Sequence, residues 1–416
     1  MRSFGAIKSI PETVVTEGWS LKPLKQIVRK ISKKTKNKTN VVALENIESW
    51  TGKLVPTDTD FDGDGISFKE GDILFGKLRP YLAKAYLARS DGEAIGDLWV
   101  LRPNDSSEPR FVAYQLLSQV FIETLNASTN GAKMPRAEWA FAAALTSPAP
   151  AKSVQTTIAD YLDRETGQID GLIEKKTGFI ALLKEKCAAV IDHAVTKGID
   201  RNVEMKPSGV EWLGDIPAHW EAPRIATLFR EAFRKPDPDL PVLSVSIHNG
   251  VSDGELSDEE RDRKVALSED RTKYQGVEPG DLVYNMMRAW QGAFGAVAVS
   301  GLVSPAYVVA RPIAEFRTKF LEHLLHTNSA AEEVRRYSRG IADFRMRLYW
   351  EYFRDIRVCL PPLPEQDAIL WQIDRETARI EDLIDKTKHS IALLKEKRAA
   401  LITAAVTGKI DVRAAA

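Results

Sequence analysis

A seven-residue stretch occurs twice in the chain: residues 180–186 and residues 391–397 both read Ile-Ala-Leu-Leu-Lys-Glu-Lys. The same offset of 211 aligns residues 162–200 with 373–411 without a gap. Fainter matches at an offset of 209 relate residues 71–75 to 280–284 and Arg102-Pro103 to Arg311-Pro312. A repeat of such a long period indicates a duplicated architecture. The order is therefore variable segment, constant segment, variable segment, constant segment.

The two constant segments have the spacing of long helices that pair with a partner. Their seam positions step alternately by three and four residues: Thr166, Ile169, Ile173, Lys176, Ile180, Leu183, Cys187, Val190 and Ala194, then Thr377, Ile380, Ile384, Thr387, Ile391, Leu394, Arg398, Leu401 and Ala405. Pro150 or Pro364 stands at each helix start, and Gly198 or Gly408 just past each end. We predict two spacer helices of about 40 residues, each roughly 60 Å long. The alternative is a core helix within each domain.

Two polar residues interrupt the seam, Lys176 in the first helix and Arg398 in the second. Each is either a device that sets the register of the pair or a residue at the helix edge, and the spacing leaves both interpretations open.

The composition is that of a soluble globular protein with more than one core. At 416 residues the chain favours two domains, and no apolar run is long enough for a bilayer. The first eight residues lack an apolar segment with a cleavage site, so we expect no secretory signal. Cys187 and Cys359 are the two cysteines, which favours a reduced, cytoplasmic setting.

Charge is segregated along the chain although the formal net charge is zero. Residues 18–44 contain no acidic residue and are rich in lysine, whereas residues 253–262 are strongly acidic. The zero net charge argues against a protein that coats nucleic acid by charge alone, and local basic segments become the candidates for contacts.

The variable segments are predicted to be α+β domains, because grouped β-prone runs precede helical patterns. The predicted strands cover residues 40–44, 72–78, 81–88, 98–101, 241–247, 281–287 and 293–299, and the predicted helices cover 109–125 and 315–337. The predicted domains are residues 1–150, a first variable domain; 151–204, the central spacer helix; 205–361, a second variable domain; and 362–416, the C-terminal spacer helix.

Two motifs resemble a known family. Residues 205–220, from Met205-Lys206-Pro207 to Pro217-Ala218-His219-Trp220, resemble the segment that opens the target-recognition domains of type I restriction-modification specificity subunits. Residues 360–366, Leu-Pro-Pro-Leu-Pro-Glu-Gln, resemble the motif that leads into their spacer helices. In the N-terminal half, Ile10-Pro11, Trp19 and Gln155 follow these patterns only loosely.

The resemblance implies a protein without catalytic activity of its own. Each target-recognition domain would read one half of a bipartite, asymmetric site in double-stranded DNA. The two conserved helices would form an antiparallel coiled coil and dock two methyltransferase subunits, to which restriction subunits attach. S-adenosylmethionine and ATP with Mg²⁺ would bind those partner subunits, which methylate adenine at N6 or cleave DNA.

Candidate DNA contacts are Lys and Arg for phosphates, and Arg, Asn or Gln for base edges. In the first half they are Lys33, Lys34, Lys36, Lys38, Lys77, Arg79, Lys133 and Arg136. In the second half they are Arg288, Gln291, Arg336, Arg339, Arg345 and Arg347. Residues 33–38 form a flexible, lysine-rich run that we assign to phosphates, with a solvated loop as the alternative. The resemblance places the segments around residues 77–79 and 133–136 in loops that face DNA.

The basic cluster of the second half has other interpretations. Acidic residues lie among its arginines, so surface ion pairs explain part of it. Trp290, in the same loop as Arg288, either stacks or fills a core.

Motifs for catalysis or metal binding are not evident in the sequence. It contains neither a Gly-x-x-x-x-Gly-Lys-Ser/Thr loop nor a Gly-x-Gly-x-x-Gly loop, and no Asn/Asp-Pro-Pro-aromatic motif. Asp58, Asp60, Asp62 and Asp64 lack a correctly spaced Glu for calcium, and His323 with His326 is interpreted as a surface pair. We expect no metal site. The competing hypothesis is a helical scaffold whose variable domains bind proteins.

Overall fold

The structure, a computed structural model, describes residues 19–36, 38–57, 64–129, 133–247, 250–256, 270–340 and 346–412. The chain divides into two compact units, which we call unit 1 (Met1–Gly178 with Thr387–Ala416) and unit 2 (Phe179–Lys386). Each unit therefore contains one variable segment and one part of each long helix.

Unit 1 is an α+β domain joined to helix segments. Its strands are β1 Ser20–Pro23, β2 Val28–Ile31, β3 Lys34–Thr35, β4 Val41–Val42, β5 Gly65–Phe68, β6 Ile73–Gly76, β7 Ala85–Leu87, β8 Gly92–Ala94, β9 Leu98–Pro103 and β10 Thr146–Ala149. Its helices are α1 Leu24–Ile27, α2 Pro109–Leu117, α3 Gln119–Ala127, α4 Trp139–Ala144 and the first part of α5 Lys152–Lys197. The central sheet has the order β2-β9-β6-β7, and a second sheet has the order β3-β5-β8-β4.

Unit 2 repeats the central sheet of this plan, whereas its remaining strands form two-stranded sheets. Its strands are β11 Met205–Pro207, β12 Asp215–Pro217, β13 Phe229–Glu231, β14 Val245–Ser246, β15 Gly250–Val251, β16 Gln275–Val277, β17 Leu282–Asn285, β18 Phe294–Ala296, β19 Gly301–Val303 and β20 Tyr307–Pro312. Its helices are α6 Ile225–Leu228, α7 Thr318–Leu325, α8 Asn328–Tyr337, α9 Trp350–Phe353 and the first part of α10 Leu363–Val406. The sheet order β13-β20-β17-β18 matches β2-β9-β6-β7 of unit 1 strand for strand.

An ion pair explains the echo of the Gly-Asp and Arg-Pro motifs between the halves. The Asp72 carboxylate is 1% exposed, and both of its oxygens accept hydrogen bonds of 2.7 Å from Arg102 on β9. Asp281 and Arg311 on β20 repeat the pair at 3.2 and 3.3 Å. A buried carboxylate needs such a partner, so both residues persist where their neighbours have diverged.

The long helices pair in antiparallel fashion within each unit. In unit 1, Leu162 of α5 shares a core cluster with Ile402 of α10, and Asp170 binds Arg398. In unit 2, Leu183 of α5 packs with Ile380 and Ile384 of α10. Numbers rise along one helix as they fall along the other. Every predicted seam position is buried or half-buried, so the predicted coiled coil is confirmed.

The helix ends are also as predicted. Helix α5 begins two residues after Pro150, and Pro364 lies in the first turn of α10. Gly198 and Gly408 follow the helix ends with φ of 81° and 76°, the left-handed conformation that glycine adopts at little cost.

The single helices predicted over residues 109–125 and 315–337 are wrong, because each is two helices. The backbone turns away at Ser118 with ψ of 142°, and the Ser118 hydroxyl accepts a hydrogen bond from the Phe121 amide. Thr327 repeats this, with ψ of 151° and a hydrogen bond from Ala330. A hydroxyl that caps the second helix stabilises the break in both units.

Every predicted strand except 98–101 is shorter than expected, and over residues 241–247 only Val245–Ser246 is a strand. Over residues 40–44 only Val41–Val42 is a strand, and a 3₁₀ turn follows at Leu44–Asn46. Over residues 81–88 the strand is confined to Ala85–Leu87, after a 3₁₀ turn at Pro80–Leu82. None of the helices in the described ranges combines the length and apolarity needed to cross a bilayer.

Candidate nucleic-acid interface

Three of the predicted contacts in unit 1 meet at one end of the central sheet. The loop after β6 carries Lys77 and Arg79, and it is held against the segment that carries Arg136. The Arg79 amide donates to Pro135 O at 2.7 Å, and the Ala137 amide donates to Lys77 O at 2.8 Å. Lys133 is exposed at the start of the same segment. The backbone thus places these side chains side by side.

Asp97 joins two of these cations. Its carboxylate lies 3.6 Å from Lys77 Nζ and 3.0 Å from Arg136 Nη2, and is 22% exposed. Its carbonyl also accepts a hydrogen bond from the Lys77 amide. Arg79 is exposed and has a backbone φ of 50°. Sequence reasoning missed Asp97, because an acidic residue is not a candidate for contact with DNA.

Unit 2 has the same arrangement. The Leu348 amide donates to Met286 O at 2.8 Å, as Ala137 donates to Lys77 in unit 1. This bond places Arg347 opposite the loop that carries Arg288, as Arg136 lies opposite the loop that carries Arg79. Both Arg288 and Arg347 belong to the predicted contacts, and Arg347 is exposed.

The loop after β17 has a polar and an aromatic member. Arg288 Nε donates to Gln291 Oε1 at 3.1 Å, so the guanidinium and the amide form a hydrogen-bonded pair. Trp290 packs partly against the core and donates through Nε1 to Met287 O. The Arg335 guanidinium lies 5.4 Å from the Trp290 ring centroid, a cation–π contact. Trp290 is therefore both a core-packing residue and a support for an arginine.

The lysine run lies at the same end of the sheet as Lys77. Strands β2 and β6 are both antiparallel to β9, so they run in the same direction, and Ile31 and Leu74 both face Val100. Strand β2 therefore ends, and the lysine run begins, at the end of the central sheet where β6 leads into Lys77. Although we expected a flexible loop, Lys34 belongs to strand β3, which pairs with β5.

The other lysines of the run are exposed. The side chains of Lys34 and Lys36 are 80% and 82% exposed, and their ammonium groups lie 3.9 and 3.6 Å from Asp64. The Lys38 amide donates to Glu93 Oε2, and its φ is 48°.

The remaining arginines of unit 2 divide into three cases. Arg336 forms ion pairs with Glu211 and Glu333, and its hydrogen bond to Glu211 raises its pKa. Arg339 lies over the Tyr352 ring at 4.6 Å and forms a β-bridge with Arg347. Arg345 lies outside the described residues. Arg336 is thus the predicted contact that acidic neighbours neutralise most.

The interpretation of His323 and His326 as a surface pair is wrong. Both are largely buried, and burial lowers the pKa of His323 to about 3 and also lowers that of His326. His326 Nε2 contacts Phe294 O at 3.0 Å. The described residues contain no group of three or more His, Cys, Asp or Glu side chains placed to hold a metal. Asp58, Asp60 and Asp62 lie outside them.

Arg398 connects the helix seam to the first variable domain in unit 1. Its Nε donates to Asp170 Oδ1 at 2.9 Å, and its Nη1 donates to Trp50 O at 2.8 Å. Lys53 adds a second cation 3.1 Å from Asp170. Because the Arg398 side chain is only 8% exposed, it is not a solvated helix edge.

Comparisons with known proteins agree on one fold. No family model matches the chain. Over 100 residues the chain is 29% identical to the type I restriction enzyme EcoDI specificity subunit of Escherichia coli. That match covers 23% of this chain and 22% of the relative, so it spans about a fifth of the curated protein.

Two solved structures match nearly the whole chain. The HsdS subunit from Thermoanaerobacter tengcongensis has a TM-score of 0.54 and 16% identity, over 96% of this chain and 99% of that one. A chain from a structure on complex assembly and conformational transition of the type I R-M system has a TM-score of 0.70 and 16% identity, over 96% and 100%. The predicted α+β domains with paired helices are thus confirmed, and the chain has the fold of the specificity subunits of type I restriction-modification systems.

Proposed function

We propose that this chain is the DNA-specificity subunit of a type I restriction-modification complex, in which each variable domain reads one half of a bipartite, asymmetric DNA site. One observation carries the proposal. Both units hold an arginine of a strand-end loop beside an arginine of a second segment through the same backbone hydrogen bond, Arg79 with Arg136 and Arg288 with Arg347. Two related domains that each carry this basic edge suit a DNA site made of two half-sites.

The side chains at these edges suit both kinds of DNA contact. A guanidinium donates two parallel hydrogen bonds to guanine, and a glutamine amide matches adenine. Lys33, Lys34 and Lys36 supply charge for phosphates. The edges differ in detail, because Asp97 links the cations of unit 1 whereas Gln291 orients Arg288 in unit 2. Different side chains predict different half-sites, and hence an asymmetric site.

The chemistry is assigned to partner subunits. We propose that two methyltransferase subunits bind S-adenosylmethionine and methylate adenine at N6, that restriction subunits use ATP and Mg²⁺, and that this chain has no catalytic site. The helix segments offer docking surfaces in each unit: Leu172 and Leu393 are about half exposed in unit 1, and Phe179, Leu182 and Trp371 in unit 2. The complex would act in the cytoplasm, where DNA is present and cysteines stay reduced.

Long-read sequencing of methylated adenines tests the function. Cells that express this chain with its cognate methyltransferase should show a split, asymmetric motif that is absent without this chain. If methylation is independent of the chain although the complex assembles, a scaffold for proteins becomes the better explanation.

The two-domain reading has its own matched test. Arg136→Gln should relax one half of the motif and Arg347→Gln the other half. A bidentate contact to a base contributes about 1–3 kcal/mol, so a change of at least fivefold at the affected position is expected. If either variant alters both halves equally, independent reading by the two domains is excluded.

A further inference from the structure

The segment after β13 in unit 2 is the structural counterpart of the lysine run in unit 1. In unit 1, Lys33 O accepts a hydrogen bond of 2.9 Å from the Ser67 amide of β5. In unit 2, Arg234 O accepts one of 3.1 Å from the Gly276 amide of β16. Arg234 and Lys235 therefore occupy the places of Lys33 and Lys34. The offset here is 201, so alignment at the main offsets of the repeat does not reveal it.

This segment reaches the same edge of its sheet as Arg288 and Arg347. Strands β13 and β17 are both antiparallel to β20, so they run in the same direction. Glu231 and Leu282 both face Ala310. The Ala232 amide still donates to Val309 O, and the next residues then bond to β16 through Arg234 O. The segment therefore begins at the end of the central sheet where β17 leads into the loop that carries Arg288.

Phe233 is the most exposed large apolar side chain among the described residues, at 75%. Its counterpart in unit 1 is Ser32. The aromatic ring belongs to none of the core clusters of unit 2. An aromatic side chain next to two cations, at an edge that already carries arginines, has the composition of a nucleic-acid contact.

The charges around the segment indicate which kind of contact with DNA it suits. Lys235 is exposed and has no ion pair within the described residues. Arg234 forms an ion pair with Glu278 and is partly exposed. Asp237 and Asp239 follow in the sequence, so the segment is less basic than the lysine run. A direct contact by the side chains therefore suits it better than attraction at a distance.

We propose that Phe233, Arg234 and Lys235 form a DNA contact of the second variable domain, which rests on the function proposed above. Lys235 and Arg234 neutralise phosphates, and Phe233 packs against the sugar and base edges beside them. The two domains thus hold their half-sites differently, the first by lysines and the second by an aromatic ring with two cations.

Matched substitutions test the contact. The probe is a duplex that carries the motif found by methylation sequencing, bound by the full chain in its methyltransferase complex from about 50 to 200 mM salt. Lys235→Gln is compared with Arg230→Gln, an exposed cation five residues earlier, on β13 and opposite Arg311. Phe233→Ala is compared with Ile313→Ala, which is 53% exposed at the far end of β20.

We expect Lys235→Gln to reduce the slope of log affinity against log salt by about 0.9, the value for one lost phosphate contact. Phe233→Ala should weaken binding about fivefold or more at every salt concentration without changing the slope, because an apolar contact releases no counterions. Both control variants should bind within about twofold of the parent chain.

Three results would overturn the proposal. If Lys235→Gln and Phe233→Ala match their controls while Arg347→Gln loses binding, the edge binds DNA without this segment. If Phe233→Ala instead prevents assembly with the methyltransferase, Phe233 is a protein contact. If the parent complex binds no motif at all, the proposed function itself fails and this contact with it.

Discussion

At the scale of single residues, Asp97 forms ion pairs with two cations of unit 1, and we expect it to limit how freely they reach DNA. We expect Asp97→Asn to increase affinity for nonspecific duplexes and to steepen the salt slope by about 0.9 to 1.8, because Lys77 and Arg136 lose their shared counter-charge. Specificity should fall, since Arg136 is no longer fixed. Binding of the complex to a duplex without the motif measures this.

Asp105→Asn is the control for this experiment. Asp105 is exposed in the same unit, and its side chain has no ion pair within the described residues. An unchanged salt slope in Asp97→Asn would show that Asp97 is only a structural partner of the two cations.

His323 makes the stability of unit 2 dependent on pH. Burial holds its pKa near 3 in the folded chain, against about 6.5 when unfolded, so the unfolded state binds the proton first as pH falls. The stabilisation is complete above pH 6.5 and is lost toward pH 3, by about 1.4 kcal/mol per pH unit. We expect His323→Leu to reduce this dependence in unfolding measured between those limits.

The exposed His389 supplies the comparison, because it lies on the surface of α10. His389→Gln should leave the pH profile of unfolding as it is. A His323→Leu variant with the parent profile would contradict the assignment.

The buried Asp–Arg pairs allow each unit to be weakened separately. Asp72→Asn should destabilise unit 1 by about 3 kcal/mol, because Arg102 keeps its charge and loses its partner. Hydrogen–deuterium exchange should accelerate in residues 73–76 and not in 282–285. Asp281→Asn should give the opposite pattern, and equal acceleration in both strands would show that the units do not unfold separately.

At the scale of elements, Arg398 marks a difference between the two copies of the helix seam. Its counterpart at the offset of 211 is Cys187, and that of Asp170 is Glu381. Unit 1 thus has a buried ion pair where unit 2 has a half-buried thiol, whose pKa is raised by burial and by Glu381. This difference favours the interpretation that Arg398 sets the register of the helix pair.

A double-mutant cycle measures this contact. Arg398→Met and Asp170→Ala should each destabilise unit 1, and their coupling should be about 1–3 kcal/mol because the two side chains touch. Lys397→Met, an exposed neighbour on the same helix, should have little effect. A coupling near zero would mean that Arg398 acts through Trp50 alone.

Helices were predicted best where one rule governed a long stretch. The seam extends over several heptads, so one atypical residue does not change the prediction of a long helix. The breaks at Ser118 and Thr327 were missed because a hydroxyl residue is tolerated inside a helix and preferred at its start, and tertiary packing decides between the two. Strand bounds at residues 40–44 and 81–88 failed for a similar reason, since short β-prone runs also form turns.

At the scale of the whole molecule, the internal repeat was enough to predict the fold class. The candidate site could be assembled only from the three-dimensional structure. Arg79 and Arg136 were named separately, and only the backbone bonds between their segments bring them together. Asp97 and Phe233 were missed because neither is a residue type that sequence rules connect with DNA at those positions. The counterpart of the lysine run, residues 234–235, was missed because it aligns at an offset of 201 rather than at 209 or 211.

The attachment of the domains to the helices has a consequence for how such proteins diversify. In unit 1, Gln155 of α5 accepts from the Glu108 amide and donates to Pro150 O, and in unit 2, Gln366 of α10 accepts from the Arg317 amide and donates to Pro361 O. All four partners are backbone groups. These four hydrogen bonds therefore do not depend on the side chains of the domain that each glutamine holds. A foreign domain grafted onto the helices would keep them, but it would also need counterparts of the side-chain contacts Arg110–Asp163 in unit 1 and Arg317–Asp367 in unit 2.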